Sequence, residues 1–223
     1  MATMTVTRHP PIRDQIASIL RAAIVNLDFE PGQLLVEREL CELTGASRPS
    51  VREALRQLEA EGLVESRNGR GTMVRVLSVD EVQHLYEVRA ELEGLASRLF
   101  SERADGAQRQ ALQAAVAQLR EATSAGGSVA ILAAQGEFYT ALFAGAGNPV
   151  LDHVVQGLQV RVAQFRALTL TVPGRAEESL REFDLIADAI ASGDPDAAHR
   201  TAAAHVQAAG TVMARVAAQR DAR

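Results

Sequence analysis

The sequence predicts a mainly α protein in two parts: a head over residues 1–77 and an all-helical bundle over residues 78–223. Three observations carry that reading. Apolar residues recur at helical spacing along most of the chain. The composition is 47% hydrophobic but only 4% aromatic, with no Trp, so the interior is built from Ala, Leu and Val, which suit helices. A stretch that reads as two short strands, residues 63–76, surrounds an Asn-Gly turn signal. At 223 residues the chain is long enough for two domains, each with its own core.

Within the head, Ile12, Ile16, Ile19, Leu20, Ala23, Ile24 and Leu27 mark a first helix with one buried face. "FEPGQLL" breaks it, because Pro-Gly favours a turn and the residue before Pro leaves the helical region. A second helix spans about Glu37 to Leu43 and stops at Gly45, which can take a left-handed C-terminal position. Beside Leu40 and Leu43, the lone cysteine Cys41 reads as a small buried residue that cannot form an internal disulfide. Only a few residues then precede a third helix, the connection expected of a helix-turn-helix. Ser47 is the expected cap, with Pro49 tolerated in the first turn; Ser50 and Glu53 offer a capping box as the alternative start. Gly62 ends this helix, Leu63 to Arg67 reads as a strand, and Thr72 to Val76 reads as its return with Val74 and Val76 inward. Three helices and a two-stranded hairpin make a winged helix-turn-helix.

Beyond the wing, Ser78 or Asp80 caps the first bundle helix, and helices are expected near 79–104, 106–123, 128–145, 148–171, 176–192 and 194–219. "AGNP" at 146–149 and "TVPGR" at 171–175 are the clearest interruptions.

Charge is distributed unevenly. Every basic side chain is Arg, and the net charge of -5 is concentrated in the bundle. Residues 46–76 hold Arg48, Arg52, Arg56, Arg67, Arg70 and Arg75 against Glu53, Glu59, Glu61 and Glu65, a local positive excess that duplex DNA can find. On the third helix, Val51, Ala54, Leu55 and Leu58 form one stripe, while Arg48, Arg52 and Arg56 form the opposite one at four-residue spacing. Like charges at that spacing repel, so an anionic partner is expected. Arginine can fork onto guanine or phosphate, and Ser47, Ser50 and Thr72 can bond phosphate oxygens; Arg56, further along, suits backbone contact. The alternative is a solvated face on which these arginines pair with Glu53 and Glu59.

The stretch "FEPGQLLVERELCELTGASRPSVREALRQLEAEGLVESRNGRGTMV" resembles the DNA-binding head of the GntR family of bacterial transcription regulators, over residues 12–76. Further on, "VRAELEGLASRLF", "AGNPVL" and "REFDLIADAIASGDPDAAHRTAAAHV" resemble the all-helical FCD effector-binding domain of the family's FadR branch. The resemblance implies a homodimer on a double-stranded operator of two-fold character, with operator affinity set by a small, anionic effector in the bundle. It implies DNA contacts from Arg38, Arg48 and Arg52, and a close approach to the duplex at Gly69 or Gly71; Arg70 between them joins the set on charge and position.

Many members of that branch hold a divalent metal through an Asp and a His four apart on one helix plus two later histidines. Here Gln135, Tyr139 and Phe183 stand at three of those positions and only His205 is retained, so no metal and no other cofactor is expected. Gln135, Tyr139 and His205 are instead expected to line a polar pocket, with Arg89 aligned on the family's anion-facing arginine and Arg161, Arg166 and Arg175 as further candidates. Arg89 could equally pair with Glu93, and an inward His or Tyr is often a satisfied core residue. His9, His84, His153 and His199 read as surface residues.

No apolar run is read as long enough to cross a bilayer, and "MATMTVTRHPP" lacks a signal-peptide core, so the expectation is cytoplasmic with no membrane partner. An enzyme using the bundle cavity is a rival reading with little support: the sequence offers no metal cluster, no nucleophile beside a base and no phosphate-cradling loop. A regulator whose bundle only dimerises is a nearer rival.

Overall fold

Local sequence explains where the first helices begin and end. In the computed structural model, which describes residues 11–67 and 71–221, α1 spans Ile12–Val25, starting after Pro11. It buries Ile16, Ala17, Leu20 and Ile24. Ile12 and Ile19, expected on the buried face, are 65% and 53% exposed, because the apolar stripe of α1 is wider than the face its neighbours cover. The helix closes with Leu27 at φ 65°, where Asp28 N–H reaches Ala23 O at 2.9 Å and Leu27 N–H reaches Ile24 O at 3.2 Å. A leucine thus occupies the left-handed position usually given to glycine.

β1 is the pair Leu34–Leu35, α2 is Glu37–Thr44, α3 is Arg48–Ala60, β2 is Val64–Arg67 and β3 is Gly71–Val74. Gly45 takes φ 65° at the end of α2, and Ser47 caps α3 by accepting from Ser50 N–H, with Pro49 in the first turn. Val51, Ala54, Leu55 and Leu58 are the buried face of α3, as their spacing predicts. Within α2 only Leu40 is buried; Leu43 is 65% exposed and Cys41 half-buried, so the short helix presents a narrower apolar face than expected.

The sheet differs from the expected hairpin. It has three antiparallel strands in the order β1-β3-β2, with Leu34 opposite Met73 and Leu35 opposite Thr72. Two residues are too few to show a period-two pattern, which is why β1 escapes a sequence reading. β3 ends at Val74, so Val74 is buried while Val76, expected inward, is 37% exposed. The Asn68-Gly69 turn and Arg70 lie outside the described residues.

Contacts divide the chain into two compact units, Met1–Val76 and Leu77–Arg223. The second contains α4 Val79–Arg103, α5 Gly106–Ala125, α6 Ser128–Ala146, α7 Pro149–Leu170, α8 Arg175–Ala191 and α9 Pro195–Asp221. Ser78 starts α4 through a capping box with Glu81, Asp105 does the same for α5 with Gln108, and Asn148 caps α7 ahead of Pro149. Gly174, at φ 78°, turns the chain so that α8 opens on a buried Arg175. Phe100, Phe138, Leu142, Phe183 and Ile186 are core residues, and Phe138 meets Phe183 edge to face at 4.6 Å between ring centres. Where α4 packs along α9, a Cβ on Gly94 would stand 2.8 Å from the His199 ring. His199 is therefore half-buried rather than a surface residue; His84 and His153 are exposed. At 19 residues, α6 is long and apolar enough to cross a membrane by length and composition, contrary to the sequence reading. Its interior position in the bundle accounts for that composition, since half of it is buried against neighbouring helices.

Candidate functional site

Two groups of residues stand out, one in each unit. In the first, α3 presents Arg48, Arg52 and Arg56 to solvent on the side away from its apolar stripe. Ser47 and Ser50 lie at its N-terminus, with hydroxyls 2.9 Å apart. Backbone N–H groups and the positive end of the helix dipole favour an anion there. Arg38 extends from α2, its Nε 3.9 Å from Glu42. Thr72 is half-buried within β3, and Gly71 stands at the strand's start with φ 84°. A Cβ at Gly71 would lie 3.3 Å from Leu34 Cδ1, so both backbone and packing require glycine. Gly69 and Arg70 fall outside the described residues.

The repulsion within the arginine stripe is relieved inside the protein. Arg52 Nε donates to both carboxylate oxygens of Glu37, at 2.8 and 3.0 Å, and Arg56 Nη1 donates to Glu53 at 2.6 Å. The hydrogen bond from Arg52 holds the Glu37 carboxyl below its ordinary range. Glu59, read as a partner for the stripe, instead accepts from Ser66 N–H at 3.0 Å and ties the start of the wing to α3. Another tie absent from the sequence reading is Arg21 to Glu61, at 2.6 and 2.8 Å, which fastens α1 to the end of α3. Arg52 and Arg56 therefore face solvent already paired with exposed carboxylates, contacts that phosphates can exchange at small cost.

In the second unit, Arg89 and Glu93 from α4, Gln135 and Tyr139 from α6, Arg166 from α7, Arg175, Ser179 and Glu182 from α8, and His205 from α9 converge in the bundle interior. Arg89 Nε and Nη2 face Glu93 Oε1 at 3.0 and 2.9 Å, with both side chains 4% exposed. Arg175 forks onto Glu182 at 2.8 and 2.6 Å. Glu182 also bonds His205 Nδ1 at 2.6 Å, and the other ring nitrogen of His205 lies 3.3 Å from the Tyr139 hydroxyl. The guanidinium of Arg166 stacks 4.0 Å over the Tyr139 ring. Arg89, Gln135, Arg166, Arg175, Ser179 and His205 border a cavity of about 20 Å³, room for a water-sized molecule.

Electrostatics follow from burial and these pairings. Burial opposes ionisation of Glu182, but hydrogen bonds from His205 and Arg175 outweigh it and bring its carboxyl to about 2. Burial likewise opposes ionisation of Glu93, and the neighbouring Arg89 and Arg166 hold it below its usual range. Burial pushes the His205 imidazole down and the Tyr139 phenol up, so both sit neutral. Three guanidinium groups thus share the interior with two carboxylates. Arg89 Nη1 and Arg166 Nη2, together with Gln135 Oε1, are closed off from solvent without a hydrogen-bond partner.

Every bundle residue expected to bind an effector, Arg89, Gln135, Tyr139, Arg166, Arg175 and His205, takes part in this cluster; the side chain of Arg161 lies outside the description. The expected Arg89–Glu93 pair is present in the same place, so pairing and site membership coexist. Glu182 and Ser179 were missed by sequence reading. Glu182 follows Arg175 by seven residues, which places both on one helix face, and that spacing was the available signal.

The metal site carried by many FCD domains does not fit these residues. Tyr139 is committed to His205, His205 is committed to Glu182, and Phe183 packs as a core ring 1% exposed. The Arg166 guanidinium over Tyr139 would repel a cation.

An exposed arginine stripe on the third helix of a winged helix-turn-helix, in one chain with a helical unit whose interior is charged, points to a DNA-binding transcription regulator. Residues 12–74 match the bacterial regulatory proteins of the gntR family, and residues 84–208 match the FCD domain. The chain belongs to the GntR family and carries an FCD domain; it is a transcription regulator, not an enzyme. It is 30% identical over 211 residues to the "Probable D-xylose utilization operon transcriptional repressor" of Paenarthrobacter nicotinovorans, covering 92% of each chain. It is 28% identical over 206 residues to the uncharacterized HTH-type transcriptional regulator YdhC of Bacillus subtilis (strain 168), again with 92% of each covered. The fold is shared with E. coli McbR/YncC, at a TM-score of 0.79 and 21% identity over 93% of this chain and 99% of the other.

Proposed function

We propose that this regulator binds its operator as a homodimer, places α3 in the major groove, and changes its operator affinity when a small anion enters the bundle. Arg48 and Arg52 read base edges or phosphates, and Arg38, Arg56, Ser47, Ser50, Thr72, Gly71 and the residues 69–70 contact the backbone. The operator has two-fold character to match the dimer. The protein works in the cytoplasm, without a metal or other cofactor, and as a repressor, the role in the name of its Paenarthrobacter relative. The observation that carries the effector reading is the pair of buried, unpartnered guanidinium nitrogens, Arg89 Nη1 and Arg166 Nη2, beside the cavity. Buried donors without acceptors cost free energy that a bound anion would recover.

Its test is thermal denaturation across a panel of metabolite anions, followed by operator binding with those that stabilise. A ligand that binds the folded state alone raises the melting temperature. The small cavity favours a second reading, a bundle that only dimerises, and under it no anion raises the melting temperature.

A further inference from the structure

We propose that Glu182 is an internal stand-in for the effector: its carboxylate occupies the Arg175 fork in the empty protein, and a carboxylate-bearing ligand displaces it. This rests on the effector-binding reading above. About 20 Å³ admits one water-sized molecule, so any metabolite needs a side chain to withdraw. A charged side chain can withdraw only if it reaches solvent itself and the ligand's own carboxylate takes its place on the buried partner it leaves. Arg89 and Glu93 are each 4% exposed, as is Arg175, whereas the Glu182 side chain is 23% exposed and has a route to water.

Withdrawal of Glu182 would free the two-point fork of Arg175, at 2.8 and 2.6 Å from the carboxylate oxygens, and the Nδ1 of His205 at 2.6 Å. These donors join the already unpartnered Arg89 Nη1 and Arg166 Nη2. The vacated geometry is that of a flat group with two oxygens, because such a group fills it in the empty protein. A planar carboxylate reproduces that fork; a tetrahedral oxyanion of sulfate type presents its oxygens differently. Gln135 Oε1, an acceptor without a donor, and Ser179 are placed to meet a hydroxyl or amide elsewhere on the ligand.

The test compares the full-length protein with Glu182→Gln, titrating formate, acetate and sulfate at matched ionic strength and following the melting temperature. If Glu182 competes with the ligand, the amide lowers the melting temperature of the empty protein and tightens apparent acetate affinity by roughly tenfold or more, since the competition term is removed. Sulfate stabilises less than acetate at every concentration. Should Glu182→Gln fail to fold, Glu182→Asp keeps the charge but shortens the reach, and its acetate affinity rises by a smaller factor. Equal or weaker acetate affinity in the variant that folds overturns the displacement while leaving an anion site standing. Indifference of the wild type and both variants to all three anions overturns the effector reading and this proposal together.

Discussion

Replacing Arg89 by Met leaves Glu93 ionised in the bundle interior without its fork. Both side chains are 4% exposed, and Arg89 Nε and Nη2 lie 3.0 and 2.9 Å from Glu93 Oε1. Removing one member of a buried pair costs about 3–5 kcal/mol, chiefly because the remaining charge stays sealed from water. The two single variants are not equivalent. After Arg89→Met the carboxylate still feels the attraction of Arg166, so the cost falls toward the lower end. After Glu93→Leu, two guanidinium groups that cannot deprotonate face each other with that attraction gone, so the cost falls toward the upper end. The double variant Arg89→Met/Glu93→Leu removes both charges and is neutral or more stable than wild type by as much as ~4 kcal/mol. At about 2–4 °C per kcal/mol for a protein of this size, the single variants lose roughly 6–20 °C in melting temperature and the double variant recovers it. Thermal melts by circular dichroism read all three. Single variants that each lose less than about 1 kcal/mol would refute the reasoning, since that is the range of a solvated pair. A double variant that is stable but no longer responds to acetate would show that the charges are retained for a ligand, at a cost to the fold.

On the head, Arg52→Ala weakens operator binding by about 5- to 150-fold if Arg52 reads a base. In contrast, Glu37→Gln frees Arg52 and strengthens duplex binding severalfold at low salt; a fall in affinity on anisotropy titration would mean that Glu37 orients Arg52 instead of competing for it. Gly145→Ala drives a Cβ into the edge of the buried Phe100 ring, costing about 1–3 kcal/mol of overpacking against ~1 kcal/mol of helix propensity gained, whereas Gly136→Ala, with open space around it, is stabilising. Thermal melts that rank these two the other way round would contradict the packing. Acidification destabilises the bundle in two stages. Below about pH 6.5 the unfolded chain binds the proton that buried His205 resists, and below 4.5 it binds the one that Glu182 refuses until about 2. In both windows the unfolded state holds more protons, so stability rises with pH. Melting temperatures that increase from pH 7 to pH 5 would reverse that sign.

Much of the head could be read from spacing, because its elements rest on local rules. Ser47, Gly45 and Gly62 punctuate helices by capping and left-handed backbone, and the apolar stripe of α3 is set by a four-residue beat. The sequence could not show β1, whose two residues owe their pairing to Gly71–Val74 far along the chain. Nor could it show that Ile12 and Ile19 stay exposed, since periodicity marks an apolar stripe but not how much of it a neighbour covers. In the bundle, Gln135, Tyr139 and His205 were legible as candidates because they fall at the metal-ligand positions of the family the sequence resembles, and Arg89 because it aligns with that family's anion-facing arginine; Arg166 and Arg175 were added as further candidates. Their partners were harder. In the head, Glu37 lies on a different helix from Arg52, fifteen residues away; in the bundle, Glu182 shares a face of α8 with Arg175 but meets His205 only once α8 and α9 pack.

The most direct measurement is the affinity of the full-length protein for a fragment selected from its own genome, against a scrambled duplex of equal length, across a titration with acetate. The account predicts a clear preference for the selected fragment, lost in Arg48→Ala/Arg52→Ala, and a severalfold change in that affinity as the anion saturates the bundle. Equal affinity for both duplexes, or operator binding that ignores the anion throughout, would contradict it.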